Sequence, residues 1–206
     1  MKISKIALAS FAFVAVSASA MPQHQSGSHG AAGHDMANMQ SMHKSSPNAA
    51  KAPYEQQFLD TMAMHHQMAM HMASLVESRS ANQELKDMAK KMMAEQEKEI
   101  AQLKGWKEQW YAGKPEAMNM KMPGMPESMK GMSGDKLMSA KGEQFDRMFV
   151  DMMSQHHKGA IKMAQTAAPK LQHAEVKEFA NRLVEMQKKE VAHMAEMKKS
   201  WATPTK

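Results

Sequence analysis

Methionine and histidine are the residues whose numbers and spacing could do chemistry in this chain of 206 residues. The sequence has 27 Met and 11 His, and it has no Cys. Thioether sulfur is a soft, neutral ligand that suits Cu(I) and Ag(I) well and suits Ca²⁺, Mg²⁺ or Zn²⁺ poorly. The absence of Cys excludes a disulfide framework, a thiolate zinc site and a Cys nucleophile. The composition therefore predicts a protein that holds a soft, monovalent metal ion through Met and His.

His-His dipeptides at residues 65–66 and 156–157 carry the most specific signal. Met62 and Met72 lie three residues before and seven residues after the first His of the first dipeptide, so they share its face of a helix. The second dipeptide has fewer Met around it. The candidate metal ligands in the helices are Met62, Met64, His65, His66, Met68, His71, Met72, Met153, His156, His157 and Met163.

The same residues also fit a purely structural interpretation. A Met stripe at helical spacing is usually core, and one His of each pair could be a buried histidine bonded to an amide such as Gln96 or Gln187. Adjacent residues on a helix point about 100° apart, so the two imidazoles of a pair cannot share one environment. Gln96 and Gln187 are therefore candidates either for orienting a metal-bound imidazole or for structural hydrogen bonds.

Two segments rich in Gly and Pro carry further Met and His. Residues 112–142 are expected to be a long, flexible crossover, so we expect no core to claim their methionines. Residues 21–52 are expected to be a disordered tail, and His-rich tracts often bind metals. The candidate flexible ligands are Met118, Met120, Met122, Met125, Met129, Met132, His24, His29, His34 and His43, and the tail histidines are also candidates for holding Cu(II).

The two His-His segments belong to an internal repeat with an offset of 91 residues. Over residues 58–73, 8 of 16 positions are identical to those 91 residues later. Apolar residues recur at helical spacing in each copy, and Pro169 interrupts the second copy because proline cannot continue a helix. We expect hairpin one over residues 54–111 and hairpin two over residues 143–201, with helices at about Gln83–Tyr111, Glu143–Ala167 and Leu171–Trp201. The pattern predicts an all-α four-helix bundle within residues 53–206.

The first 20 residues have the features of a secretory signal peptide. Lys2 and Lys5 precede an apolar run over residues 6–16, and Ala18-Ser19-Ala20 is a small-residue cleavage site. We expect cleavage after Ala20 and a soluble product in the periplasm, since no later stretch is apolar enough to cross a bilayer. The formal net charge is +6, but the lysines alternate with Glu, which argues against nucleic-acid binding.

The repeated pattern Phe-x-Asp-x-Met-x-x-His-His-x-x-Ala-x-x-Met-Ala, followed by Gln-x-x-Glu-Ile/Val, resembles the DUF305 family. The resemblance covers about residues 54–111 and 143–201. It implies a ferritin-like four-helix bundle, and the copper-binding branch of the family implies binding of Cu(I) and Ag(I) in support of metal tolerance outside the cytoplasm. Carried onto this chain, the resemblance implies metal ligands at Met62, His65, His66, Met72, Met153, His156, His157 and Met163.

Three functions are open at this point. The first is a periplasmic copper-binding protein, not an enzyme, that sequesters Cu(I) or relays it from the flexible segments to the bundle and on to a copper export or oxidase system. The second is an interaction module whose Met-rich surface adapts to partners. The least favoured is a di-iron oxidase, because such sites need Glu-x-x-His on two helices and only Glu190-x-x-His193 matches.

Overall fold

The structure, a computed structural model, describes residues 44–202, so the tail histidines His24, His29, His34 and His43 and the expected signal peptide lie outside the described residues. The predicted all-α fold is confirmed. Within residues 44–202, no helix is both long enough and apolar enough to span a bilayer. The helices are α1 Tyr54–Ser74, α2 Val76–Arg79, α3 Gln83–Tyr111, α4 Met125–Met129, α5 Gly134–Ser139, α6 Gly142–Ala167 and α7 Ala174–Ser200.

Each sequence repeat forms one helical hairpin. The long helices α1 and α3 pack together in hairpin one, α6 and α7 pack together in hairpin two, and α1 also contacts α6. Asn82 begins α3, because its side chain accepts a hydrogen bond from the backbone N–H of Leu85 at 2.9 Å. Helix α7 begins at Ala174 rather than at Leu171, because the backbone at Leu171 is extended. The contact between α1 and α6 brings repeated positions of the two hairpins together, as in the stacked rings of His65 and His156.

Apolar side chains fill two buried clusters. The first includes Phe58 and Phe179, and the second includes Phe149 and Leu85. On each long helix the residues of one cluster are followed by those of the other, and polar residues fall at or near the boundary. We call these residues the polar layer, and they are His65, His66, Gln96, Glu99, His156, His157, Gln187 and Glu190.

The crossover between the hairpins is folded against the bundle. Met118, Met122 and Met125 are buried in the first apolar cluster, with Met125 completely inaccessible. The expectation that no core claims the crossover methionines is therefore wrong for these three residues. Three further predicted ligands are only partly buried and pack against the two clusters, namely Met120, Met129 and Met132.

Two glycines allow the crossover helix α4 to lie directly on α6. Gly124 has a φ of +99°, and a Cβ there would stand 2.1 Å from the carbonyl oxygen of Gly159. A Cβ at Gly159 would stand 1.8 Å from the Oγ of Ser128. This close approach explains why the second repeat has Gly159 where the first repeat has Met68.

Candidate metal centre

The second histidine of each pair is hydrogen-bonded to a glutamate on the other long helix of its hairpin. The Nε2 atom of His66 donates to Glu99 Oε2 at 2.7 Å, and the Nε2 atom of His157 donates to Glu190 Oε2 at 2.9 Å. Both imidazoles are fully buried, whereas the two glutamates keep 14% and 20% of their side-chain surface exposed. A carboxylate on one ring nitrogen fixes the ring and leaves the other nitrogen to face a metal ion.

The first histidines of the two pairs stack on each other across the bundle. The ring centroids of His65 and His156 lie 3.6 Å apart, with an angle of 29° between the ring planes. Burial lowers the pKa of both imidazoles well below the usual value of 6.5, and the neighbouring imidazoles lower it further. Both rings are therefore neutral at neutral pH, and a neutral imidazole has a nitrogen lone pair that can bind a metal.

Ser128 of the crossover helix α4 fixes the tautomer of the first of these rings. Its Oγ atom lies 2.9 Å from the Nε2 of His65 and also 2.9 Å from the carbonyl oxygen of Gly124. A hydroxyl has one proton and a carbonyl can only accept, so Ser128 donates to Gly124 and His65 Nε2–H donates to Ser128. This arrangement leaves the lone pair of His65 on Nδ1. The backbone carbonyl of His156, rather than its ring, is the part of that residue near Ser128, at 3.3 Å.

The polar layer holds many buried polar atoms that lack a partner in the described part of the chain. Native proteins rarely leave such atoms unsatisfied, and each costs about 1–3 kcal/mol. All four rings contribute at least one nitrogen, so the layer has the donor atoms for a bound cation. The unpartnered atoms are Nδ1 of His65, His66 and His157, both ring nitrogens of His156, Oε1 of Gln96 and both amide atoms of Gln187.

The residues that orient the imidazoles are glutamates rather than the predicted glutamines. Gln96 and Gln187 are buried in the polar layer, but within residues 44–202 no hydrogen bond joins either amide to a histidine ring. Sequence reasoning missed the role of Glu99 and Glu190, although each lies 33 residues after the second histidine of its pair (99 − 66 = 190 − 157 = 33). It also missed Ser128, which lies in the crossover outside both repeats and so gives no repeat signal.

The predicted methionines lie on both sides of the polar layer along the helices. The first apolar cluster contains four of them together with the buried crossover methionines, and the second contains two. All six are buried, whereas His71, near the end of α1, is partly exposed. The four in the first cluster are Met62, Met64, Met68 and Met163, and the two in the second are Met72 and Met153.

Carboxylates and imidazoles alone do not form a complete metal site here. Among residues 44–202, no three His, Asp or Glu side chains converge so that they could hold an ion. His193 is 48% exposed and bonds to Glu84 of α3 at 3.0 Å, so it does not join Glu190 in the polar layer. A complete ligand set in this core therefore needs thioethers beside one or two imidazoles, and such a mixed set suits a soft ion.

Fold and site together define a four-helix bundle with a duplicated histidine centre in a methionine-rich core. The model of the DUF305 family, described as a domain of unknown function, matches residues 55–198. The chain belongs to the DUF305 family, as the repeated sequence pattern predicted. No curated protein matches the chain in a sequence comparison.

Solved structures with similar folds include copper-bound proteins. The chain is 28% identical to CopM in its Cu(I)-bound form, with a TM-score of 0.61 over 72% of this chain and 98% of that one. It is 30% identical to CopM in the Cu(II)-bound form, with a TM-score of 0.61 over 71% of this chain and 97% of that one. A DUF305 protein of Streptomyces coelicolor is 25% identical, with a TM-score of 0.62 over 70% of this chain and 90% of that one.

Proposed function

We propose that this protein binds Cu(I), and Ag(I) by the same chemistry, outside the cytoplasm. The observation that carries the proposal is the duplicated His-His pair, in which each second imidazole is held by a glutamate on Nε2 and has an unpartnered Nδ1. Six predicted methionines are buried in the two clusters that flank these rings. The likeness to CopM, which has been crystallised with Cu(I), Cu(II) and Ag, supports the same metal class.

The charge of the polar layer also supports a monovalent ion. Burying a cation is unfavourable unless an opposite charge or good ligands compensate for lost hydration. Glu99 and Glu190 place one carboxylate at each histidine pair, so each pair with one bound Cu(I) is nearly neutral. Imidazole nitrogen and thioether sulfur are both ligands that Cu(I) accepts readily.

The biological role we propose is sequestration or relay of copper for metal tolerance, without catalysis. The three buried crossover methionines are poorly placed to capture ions from solution, so capture would fall to exposed donors and to the histidine-rich tail. A copper export or oxidase system outside the cytoplasm would receive the ion. The N-terminal charge and apolar run support secretion to the periplasm, and the similar Streptomyces coelicolor protein is described as secreted.

A di-iron oxidase is the weaker proposal. Glu99 and Glu190 do reach the polar layer, which brings oxygen donors close to the histidines. However, His193 of the Glu-x-x-His motif at residues 190–193 forms an exposed hydrogen bond with Glu84. The ligand geometry therefore favours metal binding over oxidase chemistry, and metal analysis of the purified protein separates the two proposals by its iron and copper content.

The direct test is anaerobic titration with Cu(I) in competition with a chromophoric Cu(I) chelator. We expect the wild-type chain to take Cu(I) from the chelator, and we expect His66→Gln and His157→Gln each to lose binding at one pair. His193→Gln is the matched control, because this histidine is also bonded to a glutamate but is exposed. Circular dichroism establishes that each variant is folded. A wild-type chain that leaves all Cu(I) with micromolar chelator, the scale of a specific site, would exclude this function.

A further inference from the structure

Each of the two stacked histidines is the last residue of a stripe of three side chains, spaced one helical turn apart. The crossover covers the stripe of hairpin one and that of hairpin two to different extents. In hairpin one the stripe runs Gln57, Thr61 and His65, at intervals of four residues, so its members lie on one face of α1. Gln57 and Thr61 are buried, and Asn119 of the crossover bonds to both of them, at 2.7 and 2.9 Å. Ser128 then bonds to His65. The crossover therefore closes this stripe along its whole length with hydrogen bonds.

In hairpin two the first two positions of the stripe carry thioethers and are only partly buried. Residues 91 positions later are Met148, Met152 and His156, again one helical turn apart. Met148 and Met152 are only partly buried, and both line a surface groove of about 420 Å³ beside the crossover residues Gly131 and Ser133. His156, one turn further along α6, is fully buried and has two unpartnered ring nitrogens. Soft donors therefore lead from solvent to the polar layer on this side.

Met148 and Met152 pack against the second apolar cluster but are only partly buried. The adjacent residue Met153, by contrast, is completely buried in this cluster. Met148 and Met152 replace buried, hydrogen-bonded polar residues of the other repeat, yet part of each side chain stays in contact with solvent. Two neutral, soft ligands one turn apart on an accessible surface are suited to a soft cation.

The charged groups at the groove favour a monovalent ion. Asp151 accepts a hydrogen bond from Lys198 at 2.5 Å, and Arg147 donates to the backbone carbonyl of Trp201 at 2.9 Å, so both are already engaged. Lys136 also lines the groove. Its positive charge repels a divalent cation twice as strongly as a monovalent one. Selection at this surface would therefore depend on softness and low charge together.

We propose that Met148 and Met152 form a surface thioether site that takes up Cu(I) or Ag(I) and passes it to His156. This proposal rests on the proposed copper-binding function of the polar layer and assigns the uptake side to hairpin two. The transfer is a ligand exchange: a metal–sulfur bond breaks as a metal–nitrogen bond forms at the neutral ring, with no change of oxidation state and no proton released.

The test uses Ag(I), which has no redox chemistry here, added below stoichiometry to the full chain with ¹³C-methyl-labelled Met. We expect the methyl signals of Met148 and Met152 to shift with the first additions and the ring signals of the core histidines to follow. The double variant M148L/M152L removes both sulfur atoms at nearly constant volume. Its rate of Ag(I) arrival at the histidines should fall by about tenfold, the effect of losing about 1.4 kcal/mol.

The matched control is M93L/M186L, which removes two other partly buried methionines and should load at the wild-type rate. If the histidines of M148L/M152L bind Ag(I) at the wild-type rate, and neither methyl signal shifts in the wild-type chain, the surface site is excluded while the copper-binding function stands. If the two methyls shift but no histidine responds, the surface site stands and the core function fails. If Ag(I) perturbs neither set of signals, both are excluded.

Discussion

Hairpin one and hairpin two carry the same polar layer but differ in what surrounds it. In each, a glutamate of the second helix holds the second histidine, at 2.7 Å in one hairpin and 2.9 Å in the other. The crossover, however, bonds to the first histidine of hairpin one through Ser128 and leaves both ring nitrogens of His156 without a partner. Duplication therefore preserved the histidine–glutamate pairs, while the single crossover made the two halves unequal.

The thinner methionine set of hairpin two has a structural cause. Gly159 replaces the Met68 equivalent because the backbone of the crossover lies against α6 at this point. Lys162, in place of the His71 equivalent, pairs with Glu127 of the crossover helix. These two differences serve the docking of the crossover and leave the hydrogen bond between His157 and Glu190 in place.

The largest effect is expected from acid, which should lower the free energy of unfolding through one buried histidine in each hairpin. His65 and His156 have folded-state pKa values below the unfolded value of 6.5, so below that pH the unfolded chain takes up protons that the folded chain does not. The free energy of unfolding should therefore keep its highest value above pH 6.5. It should fall as the pH falls below 6.5, by up to about 1.4 kcal/mol per pH unit for each ring.

Urea unfolding of the metal-free protein at several pH values measures this slope. His65→Gln and His156→Gln should each reduce this slope by similar amounts. A slope that depends on only one of the two buried rings would show that the stacked pair is not electrostatically symmetric.

The next effect concerns the crossover contact. Gly159→Ala places a Cβ against Ser128 and the backbone oxygen of Gly124, so we expect a loss of up to about 3 kcal/mol in the free energy of unfolding. Gly105→Ala is the control, because a Cβ there meets nothing within 4 Å, and it should stabilise α3 by about 0.5–1 kcal/mol. Equal thermal shifts for the two variants would contradict the close docking of the crossover on α6.

A smaller effect is expected from the two glutamates, and it should be equal in both halves. Glu99→Gln and Glu190→Gln each remove a negative charge from one histidine while keeping a side chain of the same shape. Each should lower the Cu(I) affinity of its own pair by about 10–100-fold, as is usual for partners of metal-bound imidazoles. The chelator competition assay measures this, and a loss confined to one variant would mean that only one pair binds copper.

The smallest and most selective effect is expected from Ser128→Ala. Removing the hydroxyl leaves His65 Nε2–H without its acceptor, which should cost about 1 kcal/mol of stability and mix the two tautomers of this ring. Ring ¹⁵N chemical shifts should change for His65 and not for His156. Ser139→Ala, an exposed serine bonded to its own helix, is the control. Unchanged His65 shifts would disprove the tautomer assignment.

Sequence reasoning predicted the fold from features that are local or repeated. The 91-residue repeat, the helical spacing of apolar residues and Pro169 predicted the two hairpins, because short turns leave consecutive helices little choice but to pack together. The His-His pairs stood out for the same reason, since they recur at one offset. The start of α7 was misplaced by three residues because the extended backbone at Leu171 depends on its surroundings rather than on propensity.

The crossover is where sequence reasoning failed, and the reason is physical. A segment rich in Gly and Pro has no helical periodicity, so its low local propensity indicated flexibility. Met118, Met122 and Met125 are nevertheless buried, because Gly124 and Gly159 allow backbone contact that only the assembled bundle offers. Glu99 and Glu190 were visible as a repeated spacing but could not be assigned to the histidines without knowing which helix faces meet.

Composition and repetition thus determined the donor chemistry and the helical architecture of this protein, because both depend on residue type and on local spacing. Only the tertiary structure decided which imidazole nitrogens have a hydrogen-bond partner and which methionines stay partly exposed. These properties depend on contacts between residues far apart in the chain. His65 and Ser128, 63 residues apart, meet only when the crossover folds back over the bundle.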